Sequence, residues 1–165
     1  MAGAWRFTVG ASLAPTLGIT KAPMASSTRQ FQPEHYSSAL DLWRKTPGVG
    51  LSAADERSEI ERFLNRNPGL SFVATGDREE VIGTILCGHD GRRGLIHHLV
   101  VDTSHRRAGL ATALLNSSRR ELAALGIEKA HLLVFKSNVG GHAFWRKVAA
   151  ERTEMGLFSV STSDA

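Results

Sequence analysis

The stretch HHLVVDTSHRRAGLATALL, residues 97 to 115, places two histidines, two adjacent arginines and a run of small residues within nineteen positions. Arg106 and Arg107 carry permanent charge and directed N–H donors, the donor set that suits a phosphate. Gly109 and Ala111 keep side-chain bulk away, so main-chain N–H groups can approach an anion. Histidine is the natural base near neutral pH, and His97 and His98 stand at the head of the stretch. The chemistry implied is capture of an anionic ligand beside a proton-transfer group. The same residues also fit a glycine-containing turn with solvated arginines, followed back to histidines satisfied within a core strand.

An anion site of this kind needs a strand that hands over to a helix, because the first helical turn exposes unpaired N–H groups and the positive end of the dipole. LIHHLVV (95–101) reads as that strand. The helix follows in AGLATALLNSSRRELAALG, with Ala111, Leu115, Ser118, Leu122 and Leu125 at four-three spacing and a stop at Gly126. KAHLLVF (129–135) is nearly all apolar, as expected of a strand covered on both faces.

Upstream, RQF is a short strand. PEHYSSALDLWRK is a helix with Pro33 in its first turn, and Ser52 with Asp55 opens a second helix carrying Ile60, Phe63 and Leu64. LSFVAT and VIGTILCG form a hairpin about GDREE. Downstream, NVGGHAFWRKVA is a last helix and MGLFSV a closing strand. The order β-α-α-β-β-β-α-β-α-β describes a mixed α/β domain in which a crossover helix makes one parallel pair. Ligands in such sheets sit at the carboxyl ends of the parallel strands.

A chain of 165 residues suits one domain, expected over 29–162. Residues 1–28 lack Asp and Glu and read as a flexible extension, with organelle targeting or a start at Met24 as the alternatives. No apolar run approaches the ~20 residues of a membrane span. The net charge of +4 is scattered, without a helix-turn-helix, zinc or basic-region pattern, so nucleic acid is not the expected partner. The single cysteine, Cys87, excludes an intrachain disulfide and fits a reducing, cytoplasmic setting; it reads as a small buried hydrophobe rather than an acyl carrier. No histidine spacing suggests a metal, and none is expected.

The P-loop pattern GxxxxGK[ST] is absent, and the turn has one glycine where a Rossmann fingerprint has three. VVDTSHRRAGLATALL instead resembles the R/Q-x-x-G-x-G/A signature of the GNAT acetyltransferases, here Arg106-Arg107-Ala108-Gly109-Leu110-Ala111. The resemblance continues in VFKSNVGGHAFWRKV, where an Asn precedes an aromatic pair, and in the element order from Arg29 to Ser161. LWRKTPGVGL, LNRNPGLSFVA and CGHDGRRG are similar to a bacterial-type subgroup whose substrate is generally unassigned.

That resemblance implies a GNAT fold, with a mixed sheet of about six to seven strands, a splayed parallel pair and about four flanking helices. It implies acetyl-CoA as cosubstrate, its pantetheine arm bonded to backbone at Leu99, Val100 and Val101. The pyrophosphate would lie on Arg106, Arg107, Ala108, Gly109, Leu110, Ala111 and Thr112, and Asn138 and Trp145 would also meet the cofactor. A coenzyme A thioester and an amine are the implied partners, with a homodimer left open. The reaction would be direct attack of the amine on the thioester in a ternary complex, with a strand N–H near Val101 as an oxyanion contact.

His97 matches the position of a histidine in arylalkylamine acetyltransferases and is the expected base. On simple alternation it shares a strand face with Leu99 and Val101, while His98 points the other way. The glutamate of some members is Leu133 here. Trp145 replaces a common tyrosine, and an indole cannot transfer a proton at neutral pH. Ala149-Ala150 stand where Gly-Phe is usual, which is expected to loosen the last turn and shift the closing strands. Asp55 and Glu56 either attract an amine or simply cap a helix. A non-catalytic acyl-CoA-binding module is the alternative to an enzyme.

Overall fold

Tyr36, Ala39, Leu42 and Trp43 recur every three to four residues, and that stripe alone is buried on helix α1 (Tyr36–Lys45). In the computed structural model, which describes residues 28–162, the other elements are β1 (Thr28–Gln30), α2 (Arg57–Arg66), β2 (Phe72–Thr75), β3 (Val81–His89), β4 (Gly94–Val101), α3 (Leu110–Ala124), β5 (Ala130–Leu132) and α4 (Val139–Val148). The extension expected over residues 1–28 lies outside the described residues, apart from Thr28, which opens β1.

The five strands form one sheet in the order β1-β2-β3-β4-β5, antiparallel except for the β4–β5 pair. One apolar cluster joins α1 and α2 to one face through residues such as Leu42, Ile60, Val73 and Leu86. A second joins α3 to the other face through Ile85, Ile96, Leu110 and Leu114. β3 is therefore buried at every position before His89. Leu114 is wholly enclosed, so truncation to alanine should cost about 2–5 kcal/mol.

Five sequence expectations are corrected. The sheet has five strands among the described residues rather than six to seven. MGLFSV is not a strand: Met155, Leu157, Phe158 and Val160 are exposed. The chain leaves α4 through Ala149 in extended conformation (φ −142°) and finds no partner edge. KAHLLVF pairs only at 130–132, and Leu133 and Phe135 are exposed because no strand of the described residues covers the outer side of β5. Leu125 is exposed just past the end of α3, and the buried stripe runs instead from Leu110 and Leu114 to Leu122. The Ser52–Asp55 capping box closes a single 3-10 turn, after which α2 begins at Arg57.

A bulge in β4 has the largest effect on the site. Leu86 pairs with His97 but Thr84 pairs with Val100, so Ile85 alone stands opposite His98 and Leu99. The extra residue resets the alternation, and His98 takes φ +43°.

Candidate functional site

β4 and β5 pair only from Gly94 to Ile96 and from Ala130 to Leu132. Beyond them the strands separate, and a cleft of about 930 Å³ opens between their carboxyl ends. Its floor is the β4 run His97 to Val101, one wall is the turn before α3, and the other is β5 with the start of α4. Every residue expected at the site lines it except Ala108, which is exposed.

The α3 turn fits a polyphosphate by its donor set. Gly109 lies at φ +83°, and a Cβ built on it would meet no atom within 4 Å, so the space before the turn is open. The first bond of α3 runs from the Ala113 N–H to the Gly109 carbonyl (2.9 Å), leaving the N–H groups of Leu110, Ala111 and Thr112 without intrahelical partners. Arg106 donates Nε–H to the Val101 carbonyl at 3.2 Å, which ties it to the end of β4. Neither Arg106 nor Arg107 meets a carboxylate among the described residues, and both line the cleft. Two unpaired cations at a helix N-terminus call for an anion.

The bulge overturns the expected facing of His97, while His98 points away from Leu99 and Val101 as alternation had it. His97 sits edge-on to Phe63 of α2 (6.0 Å), and His98 stacks on Trp43 of α1 (4.5 Å). Both therefore lie on the α1–α2 side, whereas Leu99 packs with the α3 cluster beside Val101. Simple alternation cannot show this, because the inserted residue leaves no mark in the amino-acid pattern.

His98 Nε2 lies 2.6 Å from Asp55 Oδ1, with both side chains 14% exposed. The Asp55 Oδ2 atom accepts the Ser52 N–H at 2.8 Å. Asp55 thus caps its turn and holds a histidine of the cleft. No local signal joins residues 43 positions apart, so this contact was not legible in the sequence. Burial, followed by the neighbouring His98, pushes the His97 imidazole below its ordinary value, against a smaller upward pull from Asp55.

Asn138 caps α4 by accepting the Gly141 N–H at 2.8 Å. The α1–α2 connection reaches across to it: a Cβ at Gly48 would stand 3.0 Å from the Asn138 amide, and one at Gly50 would stand 2.7 Å from the Phe135 ring. These glycines, from the TPGVGL loop, also line the cleft, as do Phe135 and His105, which no sequence pattern marked. Trp145 packs against the α3 cluster and makes an edge contact with Phe144 at 5.1 Å.

At the end of β4, Lys45 (2.6 Å) and the Ser104 hydroxyl hold the Asp102 carboxyl well below the usual carboxylate range. Cys87 is fully buried, and burial pushes its thiol up to about 11, which suits a core residue. Among the described residues no group of three or more His, Cys, Asp or Glu could hold a metal, and no helix is long and apolar enough to cross a membrane.

The model of the acetyltransferase (GNAT) family matches residues 36–149. An acetyltransferase of Pectobacterium atrosepticum is 30% identical over 126 residues, covering 76% of this chain and 88% of that protein. One from Sodalis glossinidius is 32% identical over 129 residues, covering 78% and 89%. Among solved structures, a GNAT-family acetyltransferase from Staphylococcus aureus superposes with a TM-score of 0.69 at 13% identity, over 80% of this chain and 89% of that one. Diaminobutyrate acetyltransferase from Paenibacillus lautus, solved with its substrate and coenzyme A, gives 0.63 at 19% identity over 73% and 72%. The likeness of these structures is one of fold.

Proposed function

The chain belongs to the GNAT acetyltransferase family, and from that premise we propose that it moves an acetyl group from acetyl-CoA to an amine by direct attack within a ternary complex. The observation that carries this reading is the cleft, whose open end joins a free strand edge to a turn bearing two unpaired arginines. Acetyl-CoA supplies the activated thioester, and no metal is required.

In this reading Leu99, Val100 and Val101 offer backbone to the pantetheine arm. Arg106, Arg107 and the turn from Ala108 to Thr112 receive the pyrophosphate, with Ala108 contributing main chain only. Asn138 keeps its amide nitrogen for the cofactor arm while its oxygen caps α4. Trp145 forms an apolar wall. A β4 N–H near Val101 donates to the carbonyl oxygen as negative charge develops there. The sulfur leaves without a side-chain acid, since a thiol of pKa about 8.5 is a fair leaving group. His97, the expected base, now has His98 beside it on the same side of the sheet.

The catalytic unit is taken as residues 29–162, in a cytoplasmic protein whose one cysteine needs no partner. A homodimer is supported by the free edge of β5 and the exposed Leu157, Phe158 and Val160. The test is thiol release from acetyl-CoA across a panel of amines, paired with calorimetric titration of coenzyme A. Acetylation of at least one amine is expected. Tight coenzyme A binding without turnover of any amine would make the protein a binding module.

A further inference from the structure

We propose that His98, oriented by Asp55, accepts the proton of the attacking amine, and that His97 does not. This rests on the acetyl-transfer reading above and names the residue that carries its proton step.

The backbone gives the first reason. A histidine at φ +43° inside a strand is strained, and such conformations persist where surrounding structure imposes them. Here the imposition is visible. Trp43 donates its indole N–H to Thr84 Oγ1 at 2.9 Å, and Thr84 donates to the His98 carbonyl at 2.8 Å. The bulge is thus pinned from β3 and α1, and the His98 ring is clamped between Trp43 and Asp55.

The ring gives the second. With the Asp55 carboxylate against Nε2, the neutral imidazole donates from that nitrogen, and its lone pair lies on Nδ1. Nδ1 has no hydrogen-bond partner among the described residues, yet it is not a sealed polar atom, and His98 lines the cleft. His97 has neither ring nitrogen bonded among the described residues, so nothing fixes its tautomer; only the Phe63 contact positions it. The titratable groups facing His98 are Asp55, from the connection before α2, and His97 on its own strand. Trp43 and Thr84 are neutral.

The step balances. An ammonium gives one N–H proton to His98 Nδ1, leaving an imidazolium against Asp55. The freed lone pair forms the N–C bond to the thioester carbonyl carbon as the C–S bond breaks, and the sulfur departs with the electron pair. The second N–H proton passes to the sulfur, through water where needed. The imidazolium then returns its proton to solvent.

The experiment uses the full chain, acetyl-CoA, and the best amine of the panel. His98→Asn tolerates the left-handed backbone but lacks the base. It should lower kcat by about 100-fold or more with coenzyme A affinity near wild type, while loss of the Trp43 and Asp55 contacts lowers the melting temperature of a chain that still folds. Its rate should recover as rising pH supplies free amine. Asp55→Asn, which keeps the polar contact but removes the counter-charge, should lower kcat about tenfold and move the acidic limb of the pH–rate profile downward. His97→Gln should lose far less kcat than His98→Asn, with any loss shared by coenzyme A affinity or acceptor KM. Unchanged kcat in His98→Asn overturns the assignment, as does an equal loss in His97→Gln. So does a loss in His98→Asn that tracks a parallel fall in coenzyme A affinity. If wild type binds coenzyme A but acetylates no amine, the transfer reading fails first and this one with it.

Discussion

Trp43 and Thr84 are joined by a buried hydrogen bond of 2.9 Å, and through it helix α1 holds the bulged strand that floors the cleft. Thr84→Val keeps the shape but removes the acceptor of a sealed indole N–H and the donor to the His98 carbonyl. A loss of roughly 1–3 kcal/mol in urea unfolding is expected. Turnover should fall more than coenzyme A affinity, because the distortion centres on the histidine.

Gly109 separates backbone from side-chain effects. Gly109→Ala meets no protein atom, so its cost is the left-handed conformation alone, about 1–2 kcal/mol. Gly109→Glu should be similarly stable but should abolish coenzyme A binding by filling the space before the turn with a carboxylate. Calorimetric titration of both variants checks this, and normal affinity in Gly109→Glu would refute the phosphate-loop assignment.

Acid should weaken the fold through His97. Its folded-state pKa lies below the ordinary value of about 6.5, so protonation favours the unfolded chain. The stability it contributes is present above that value and is lost as pH falls through the lowered one. The melting temperature should begin to fall as pH approaches about 6.5 from above and go on falling through the lowered folded-state value, and His97→Gln should flatten the curve. His35, also lowered mainly by burial, leaves a residual slope.

The Gly50–Phe135 contact bridges the cleft. A valine at Gly50 would push the tip of the Phe135 ring, which is 61% exposed and free to swing. The expected stability change is therefore within about 0.5 kcal/mol. Steady-state kinetics should show the acceptor KM rising several-fold at near-normal kcat, since the displaced segment leaves the cleft wall.

The strand-to-helix junction was legible because its requirements are local: an apolar run, a glycine, and a helix with a periodic stripe. The hairpin of β2 and β3 was legible for the same reason. Register was not, since nothing in HHLVV marks which residue is the extra one, and so His97 was assigned to the wrong face. The pairing of His98 with Asp55 depends on that register and on a loop remote in sequence. KAHLLVF and MGLFSV failed differently. Hydropathy records a preference for burial, but it does not say whether a neighbouring strand exists to provide it.

The three-residue seam between β4 and β5 has a consequence for the protein's lifetime. From His97 onward the strand edge facing β5 has no strand partner among the described residues, and an arm lying along it would add the rungs missing there. Ligand bound only by the folded form, at about 100 times its Kd, would stabilise it by about 2.7 kcal/mol. Resistance to heat and protease would then follow the cellular supply of acetyl donor, making abundance of the protein responsive to metabolic state without a separate regulatory site.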